Sequence, residues 1–314
     1  MNAPKVKENI KSVIQRIQQD ALKRDIFHLS KDPLPCRCLN HTIPGHDMST
    51  LHEADAYIAA RLKSAGLDPE KEVVPVQAFV PDPSQAHGFR KPVSDEPWYD
   101  ATNLVAKKPG LRNPNDLIIL IAHKDTQSWL GCAAGAHDNA VGVAALLSMA
   151  HAVRNVSLNR TLWFVFCNEE HWPWTSVQIA ENIASSDYNT VAVFNVDGIG
   201  GKSVDSVKKG EMVNVTRYTT PEGEQIADLL ISLNSIYGIG LEQGKYAYDR
   251  PNDDDGSFIN AGIPAAVMNI GTFPYAEPNY HTRNDIPENV DVKNVQLSAQ
   301  LILCGVMHID IHGL

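Results

Sequence analysis

Four short, mostly apolar runs set the first constraint on this chain: Leu117–Ala122, Leu162–Cys167, Val191–Val196 and Ala265–Ile270. Each has the length of a strand. None alternates polar with apolar residues, so none suits a sheet with one wet face. Helix-capable stretches lie between them, at Val141–Val153, Thr175–Ala184 and Glu222–Ser235, and Asp291–Ile309 closes the chain as a helix. Apolar runs alternating with helices predict an α/β fold whose sheet is mostly parallel and covered by helices on both faces. No repeat, low-complexity tract or linker interrupts the 314 residues. A single domain over residues 1–314, with no inserted second domain, is the expectation.

The first 50 residues read as an appendage packed on that domain. Ile10, Val13, Ile14, Ile17 and Leu22 recur at roughly helical spacing, which predicts one amphipathic helix over residues 1–30. Residues 31–50 are a loop rich in Pro, Cys and His. A helix follows over residues 51–66. Glu72–Val80 reads as a strand that Pro75 confines to a sheet edge. Residues 81–99 contain four prolines and read as a surface loop.

Charge and cysteine content narrow the function. The net charge is -10, and no basic patch exists beyond Lys107-Lys108 and Lys208-Lys209, so a nucleic-acid partner is not expected. No segment reaches the ~18 apolar residues needed to span a bilayer, and the N-terminus lacks the apolar core of a signal peptide. Of five cysteines, Cys167 and Cys304 read as core packing, and Cys36 and Cys38 as a pair of loop thiols. That usage suits a reducing compartment, and a cytoplasmic protein is expected.

Open parallel sheets build their sites beyond the carboxyl ends of the strands. His123-Lys124-Asp125 follows the first apolar run, Asn168-Glu169-Glu170 the second and Asp197-Gly198 the third. A loop ending in Tyr280-His281-Thr282 follows the fourth, and His137-Asp138-Asn139 precedes the helix at Val141. Imidazole and carboxylate at five such places are the ligands of zinc and its neighbours. Asp138 precedes a helix, so it serves either as an N-cap or as the carboxylate bridging two ions, and the two roles are compatible. Asp125 is placed to accept the second ring N–H of His123. Glu169 and Glu170 are adjacent at a strand end and point in different directions, so one is free to bind metal while the other acts as general base. His137 reads as a neighbour and not a ligand. Asp253-Asp254-Asp255 reads as a solvated acidic loop, because it lacks the spacing of a calcium loop. Trp129, Trp172 and Trp174 are either core aromatics or part of the pocket wall.

At these residues the chain resembles the M28 family of zinc peptidases, through AHKD, GAHDNAVGVAALL, FCNEE, NVDG, GSFINAGIPA and YHTRNDIPENVD. The resemblance implies a central mixed sheet flanked by helices, of the zinc-exopeptidase type. It implies two divalent ions, zinc by preference. His123, Asp138 and Asp197 would hold one, and Asp138, Glu170 and His281 the other. It makes Glu169 the general base. Members often carry Asp-Asp where this chain has Asp138-Asn139, Gly-Ser where it has His171-Trp172, and Ser-Asp-His where it has Asp253-Asp254-Asp255. A tyrosine just upstream of that last place often stabilises the oxyanion. Tyr248 and Arg250 are the candidates here.

The expected activity is hydrolysis of a terminal peptide or small amide bond, first as an aminopeptidase using a two-metal-activated water. Carboxypeptidase or dipeptidase action is the alternative within the family. A single-zinc acyltransferase of glutaminyl-cyclase type is the alternative outside hydrolysis.

Overall fold

Leu117, Ile119 and Ile121 are buried in one apolar cluster, and Ile118, Leu120 and Ala122 in another. A strand whose alternate residues enter two cores must lie between two layers of helices, and that layout organises the protein. The computed structural model describes residues 3–82, 84, 89–126, 132–170 and 172–314. Trp129 and His171 lie outside the described residues.

The strands of the main sheet are β1 (Glu70–Val76), β4 (Tyr99–Lys108), β5 (Asn113–His123), β6 (Arg160–Cys167), β7 (Asn189–Val196), β8 (Val213–Tyr218), β9 (Glu242–Ala247) and β10 (Ala266–Ile270). They form one eight-stranded sheet in the order β1-β4-β6-β5-β7-β10-β8-β9. A separate pair, β2 (Val80–Pro81) and β3 (Phe89–Arg90), makes a small hairpin in the segment expected to be loop. The central strands β6, β5, β7 and β10 are mutually parallel, whereas β4 runs antiparallel to β6 and β8 antiparallel to β10. The sheet is therefore mixed with a parallel centre. Proline lacks an N–H donor, and Pro75 lies in the edge strand β1 as its sequence required.

One face carries α1 (Ala3–Ile14), α2 (Gln19–Ser30), α3 (Thr50–Ser64), α4 (Val141–Val153), α7 (Pro221–Tyr237) and α9 (Val292–His312), which share the larger core. The other carries α5 (Ser176–Ala184) and α8 (Asp253–Asn260), packed on Trp163, Val165, Cys167 and Val193. The short α6 (Val204–Lys209) buries no residue. No helix among the described residues is long and apolar enough to cross a membrane.

Two expectations for the N-terminal segment need correction. Residues 1–30 form two helices, not one, broken at residues 15–18. Ile17 and Leu22 are both fully buried but five residues apart, out of phase with a 3.6-residue repeat. The chain turns there, which brings Leu22, Ile26 and Leu29 inward on a new helix. Cys36 is not a loop thiol. It forms a disulfide with Cys132 across a sequence separation of 96 residues, with Cα atoms 5.5 Å apart. Cys38 remains a thiol whose Sγ donates to the carbonyl of Thr126 at 3.4 Å.

Helix α4 begins close against the end of β7. Asn139 Nδ2 donates to the carbonyl of Val196 at 2.8 Å, and Asn139 Oδ1 accepts from the N–H of Gly142 at 2.9 Å. A Cβ at Gly142 would overlap both the Val196 carbonyl oxygen and the Asn139 amide. Alanine gains about 1 kcal/mol over glycine inside a helix, but backbone overlap of this kind costs about 1–3 kcal/mol. Gly142→Ala is therefore expected to destabilise, with a lower urea midpoint and an unchanged slope. Titration of the denatured protein is expected to find three thiols, Cys38, Cys167 and Cys304, rising to five after reduction.

Candidate metal centre

The four parallel strands end side by side, and each delivers acidic or imidazole groups to the same rim. His123 is the last residue of β5, and its register partner on β6 is Cys167. Asp197 directly follows β7, with its N–H donating to the carbonyl of Asn269 in β10 at 3.0 Å. Glu169 and Glu170 lie two and three residues past β6. Asp138 sits in an irregular turn over Ala136–Ala140, where its own φ and ψ are non-helical.

These residues converge. His123 Nε2 lies 3.0 Å from Asp138 Oδ1 and 3.5 Å from Asp197 Oδ1. His281 Nε2 lies 2.7 Å from Asp138 Oδ2. The two oxygens of Asp138 thus face two different imidazoles. His123 Nδ1 lies 3.4 Å from Asp125 Oδ1, and Asp125 Oδ2 accepts the N–H of Glu170 at 3.3 Å. His123, Asp125, Asp138, Asp197, Glu169, Glu170 and His281 are all buried. One ligand atom from each of His123, Asp138 and Asp197 falls within 4.8 Å of the others.

The charges in this cluster are mutually dependent. Burial alone would lower the pKa of His123, but Asp197, Asp125 and Asp138 outweigh it and hold the imidazole well above its usual value. Burial would raise Asp138, but His123 and His281 hold it well below the ordinary carboxylate range. Burial wins at Asp197, whose carboxyl is raised. Both ring nitrogens of His123 are buried without a hydrogen bond. Lone pairs packed among carboxylate oxygens with so few donors call for a cation, and imidazole with carboxylate is the donor set of zinc.

Backbone geometry at the rim is constrained. Glu169 and His281 have φ of 55° and 57°, a left-handed conformation uncommon outside glycine. Two carbonyl bonds hold Glu169 there, since its oxygen accepts the N–H groups of Trp172 at 3.0 Å and Trp174 at 2.9 Å. Sites that fix a side chain's direction commonly hold such residues.

Several contributors escaped the sequence reading. Asp285 accepts the N–H of His137 at 2.6 Å and that of Asp138 at 3.3 Å, so it fixes the backbone that presents the shared carboxylate. It lies inside YHTRNDIPENVD, where its own spacing carries no signal. Tyr280 stacks on His281 with ring centroids 3.8 Å apart. Burial, then Asp138, Tyr275, Glu170 and Asp197, push its phenol up, so it stays protonated. Arg37 is fully buried and donates to the carbonyls of Lys124, Leu29, Ala134 and Gly135, joining the end of α2, the residues after β5 and the Cys132–Gly135 segment into one frame.

The acidic triplet is a correction. Asp253, Asp254 and Asp255 are not a solvated loop: they open α8 and are buried. Arg217, itself buried, pairs with Asp253 and lies 2.9 Å from Asp255. Burial pushes the Asp254 carboxyl up to about 6 and that of Asp255 up to about 7. The buried guanidinium offsets two of the three adjacent aspartates, Asp253 and Asp255.

Tyr248 and Arg250 are not among the residues that line the cavity beside the ligand cluster. Tyr248 packs edge-on against Phe273 and near Arg217, and Arg250 is exposed. The cavity beside the ligand cluster is lined by His137, Asp138, Asp197, Tyr275 and Tyr280 among others, and neither Trp172 nor Trp174 belongs to it. His137 itself directs Nε2 toward the Asn289 carbonyl at 3.3 Å, in keeping with a neighbour's role.

Known proteins share the family and the fold. The profile of peptidase family M28 matches residues 103–305. The aminopeptidase YwaD of Bacillus subtilis (strain 168) is 25% identical over 207 residues, 64% of this chain and 42% of that protein. The chain therefore spans about two fifths of that relative's length. Among solved structures, an aminopeptidase from Aneurinibacillus sp. strain AM-1 superposes with a TM-score of 0.71 at 17% identity, covering 96% of each chain. A glutaminyl cyclase from Bacteroides thetaiotaomicron superposes with a TM-score of 0.68 at 16% identity, covering 93% of this chain and 98% of that one. At these identities the superpositions speak to the fold alone.

Groups that orient a ligand from behind typically contribute 10–100-fold to metal affinity. Asp285→Ala is expected to weaken zinc binding by about that factor, read by competition with a chelating dye, while the far-ultraviolet circular dichroism of the ion-free protein is retained.

Proposed function

The chain belongs to peptidase family M28, and from that premise we propose that it is a metal-dependent exopeptidase that removes N-terminal residues from peptides. The observation that carries this reading is the shared Asp138 carboxylate, with Oδ1 toward His123 and Oδ2 toward His281. A carboxylate presented to two imidazoles in this way suits a pair of divalent ions. His123, Asp138 and Asp197 would hold one ion, and Asp138, Glu170 and His281 the other. Bound there, zinc ions supply Lewis-acid polarisation of the scissile carbonyl and a lowered pKa for water.

The protein's own groups do the rest. Asp125, 3.4 Å from His123 Nδ1, would accept that N–H once the ion is bound and leave the Nε2 lone pair for the ion. Glu169 takes a proton from the attacking water and passes it to the departing amine. The Tyr280 phenol, kept protonated by burial and the carboxylates around it, donates to the oxyanion that develops on the carbonyl. We assign it that role in place of Tyr248 or Arg250, since Arg250 is exposed and Tyr248 packs on Phe273. Carboxypeptidase or dipeptidase action would use the same groups and differ only in which substrate terminus is anchored.

The superposition with a glutaminyl cyclase supports a second reading, cyclisation of an N-terminal glutamine over one zinc. The two sides that meet at Asp138 weigh against it, because a single ion would leave either His123 and Asp197 or His281 without a cation. Location also bears on the reading. Disulfides persist in oxidising surroundings, so the Cys36–Cys132 bond favours such a compartment over the cytoplasm.

General-base catalysis typically contributes 10²–10⁴-fold. Glu169→Gln is expected to lose about that factor in kcat on aminoacyl amides and to keep the zinc content of the wild type. Metal analysis of the wild type is expected to find two ions per chain, and a chelator to abolish turnover reversibly. Cyclisation of a glutaminyl peptide without amide hydrolysis, at one ion per chain, would overturn the peptidase reading.

A further inference from the structure

Outside the cluster at the strand ends, a second group of metal-ligating side chains comes together. Cys36 Sγ, Cys132 Sγ and a ring nitrogen of His41 lie within 4.8 Å of one another. None of the three belongs to the catalytic cluster, and nothing in the proposed reaction uses them. We propose that, once the Cys36–Cys132 bond is reduced, Cys36, Cys132 and His41 hold a zinc ion, which replaces the disulfide as the cross-link between the Cys36–Cys38 strap and the chain leading to Asp138. The inference stands apart from the peptidase reading, because it concerns other residues and another donor set.

Thiolate and imidazole are donors that favour zinc, and they are softer than the carboxylates of the catalytic cluster. Zinc bonds to sulfur and nitrogen put neighbouring atoms of a tetrahedral site roughly 3.5–3.8 Å apart. The group found here is compact enough for that spacing. The two cysteine Cα atoms are 5.5 Å apart. Each Sγ hangs one carbon from its Cα, so rotation of the side chains opens the sulfurs to the required distance with the backbone in place. Two thiolates and a neutral imidazole cancel the charge of the ion, so the fully buried Cys36 would carry no uncompensated charge. Cys132 is exposed and His41 half-buried, which gives water access to the fourth position and a reductant access to the bond.

The loop after the strap presents the histidine. The His41 N–H donates to the carbonyl of Cys38 at 3.4 Å, and the His41 carbonyl accepts the N–H of Thr50 at 2.8 Å, which folds the loop back on the start of α3. Among the described residues, the His41 ring forms no hydrogen bond or ion pair that would occupy its lone pair. Cys38 is directed elsewhere, toward Thr126. The cross-link matters because Arg37, inside the strap, joins the carbonyls of Lys124, Ala134 and Gly135. Reducing surroundings remove a disulfide but leave two thiols able to bind metal. A dithiol supplies the two electrons, closes to its own cyclic disulfide and leaves one proton on each cysteine sulfur. Zinc binding then releases both protons to water.

The test uses the whole chain reduced by a water-soluble phosphine, which takes an oxygen atom from water and adds no thiol of its own. Metal analysis is expected to find one more zinc per chain in the reduced protein than in the oxidised protein. Loaded with cobalt(II) instead, the reduced protein is expected to show an intense thiolate-to-cobalt band in the near ultraviolet, which the imidazoles and carboxylates of the catalytic cluster do not give. Cys38→Ser is expected to keep that band and Cys132→Ser to lose it. His41→Ala is expected to weaken binding of the added ion by about 100-fold or more, since even groups behind a ligand are worth roughly 10–100-fold. Equal metal content in the oxidised and reduced wild type, with no thiolate band, would overturn the proposal, and that comparison needs no variant. So would a band that survives Cys132→Ser, or a His41→Ala protein that holds the added ion as tightly as the wild type. The count is a difference between two forms of one protein, so the number of ions at the catalytic cluster does not enter it.

Discussion

One carboxylate fixes the spacing of the site. Asp138 is buried and held ionised between His123 and His281, which arrive from the end of β5 and from the loop after β10. Each oxygen has its own imidazole, so neither histidine is free to rotate without losing a charged neighbour. The turn that presents Asp138 is secured from three directions. Asp285 takes its N–H, Asn139 pins it to the end of β7, and Ala140 N–H closes on the carbonyl of Gly135. A charge in a low-dielectric setting interacts strongly with misplaced partners as well as correct ones. The surrounding hydrogen bonds therefore decide whether the cluster binds an ion or repels itself.

The parts legible in the sequence were those with one dominant physical cause. A parallel strand buried on both faces has to be apolar throughout, and Leu117–Ala122 and Leu162–Cys167 lie inside β5 and β6. Helix α4 spans Val141–Val153, as its apolar spacing predicted. The strands that went unread are those where causes mix. In β4, Asn103 is fully buried yet polar, because it donates to Glu72 and to the carbonyl of Thr175. In β8, Arg217 is buried because Asp253 and Asp255 of α8 receive it. The polar strand β9 is mostly exposed at the sheet margin. Each of these depends on a partner distant in the chain, and local patterning carries no trace of it. Asp285 and Tyr280 went unassigned for the same reason. Their roles come from backbone donors and ring faces that only the fold brings near.

Two buried arginines show contrasting ways to keep a cation inside a protein. Arg217 sits against carboxylates, with the rings of Tyr248 and Phe273 alongside. Arg37 relies on backbone carbonyls, and burial lowers its pKa to about 10. The first arrangement cancels charge. The second uses the planar fork of donors to join four carbonyls that no single backbone segment could satisfy. Arg37 also exchanges backbone and side-chain hydrogen bonds with Thr126, and its neighbour Cys36 is cross-linked to Cys132. A three-residue strap from the N-terminal segment thereby supports the approach to the shared carboxylate.

The two margins of the sheet have a consequence for behaviour in concentrated solution. Open strand edges invite a neighbouring chain to add itself and begin aggregation. At one margin Pro75 removes a donor from β1, and Glu70, Lys71 and Glu72 line the approach with charge. At the other, Lys245 projects from β9 between Glu224 and Asp228. An incoming strand would have to strip water from these groups before it could form a single backbone bond. The proline that marked β1 as an edge strand and the charge that hid β9 from the sequence reading both protect the folded protein from stacking on itself.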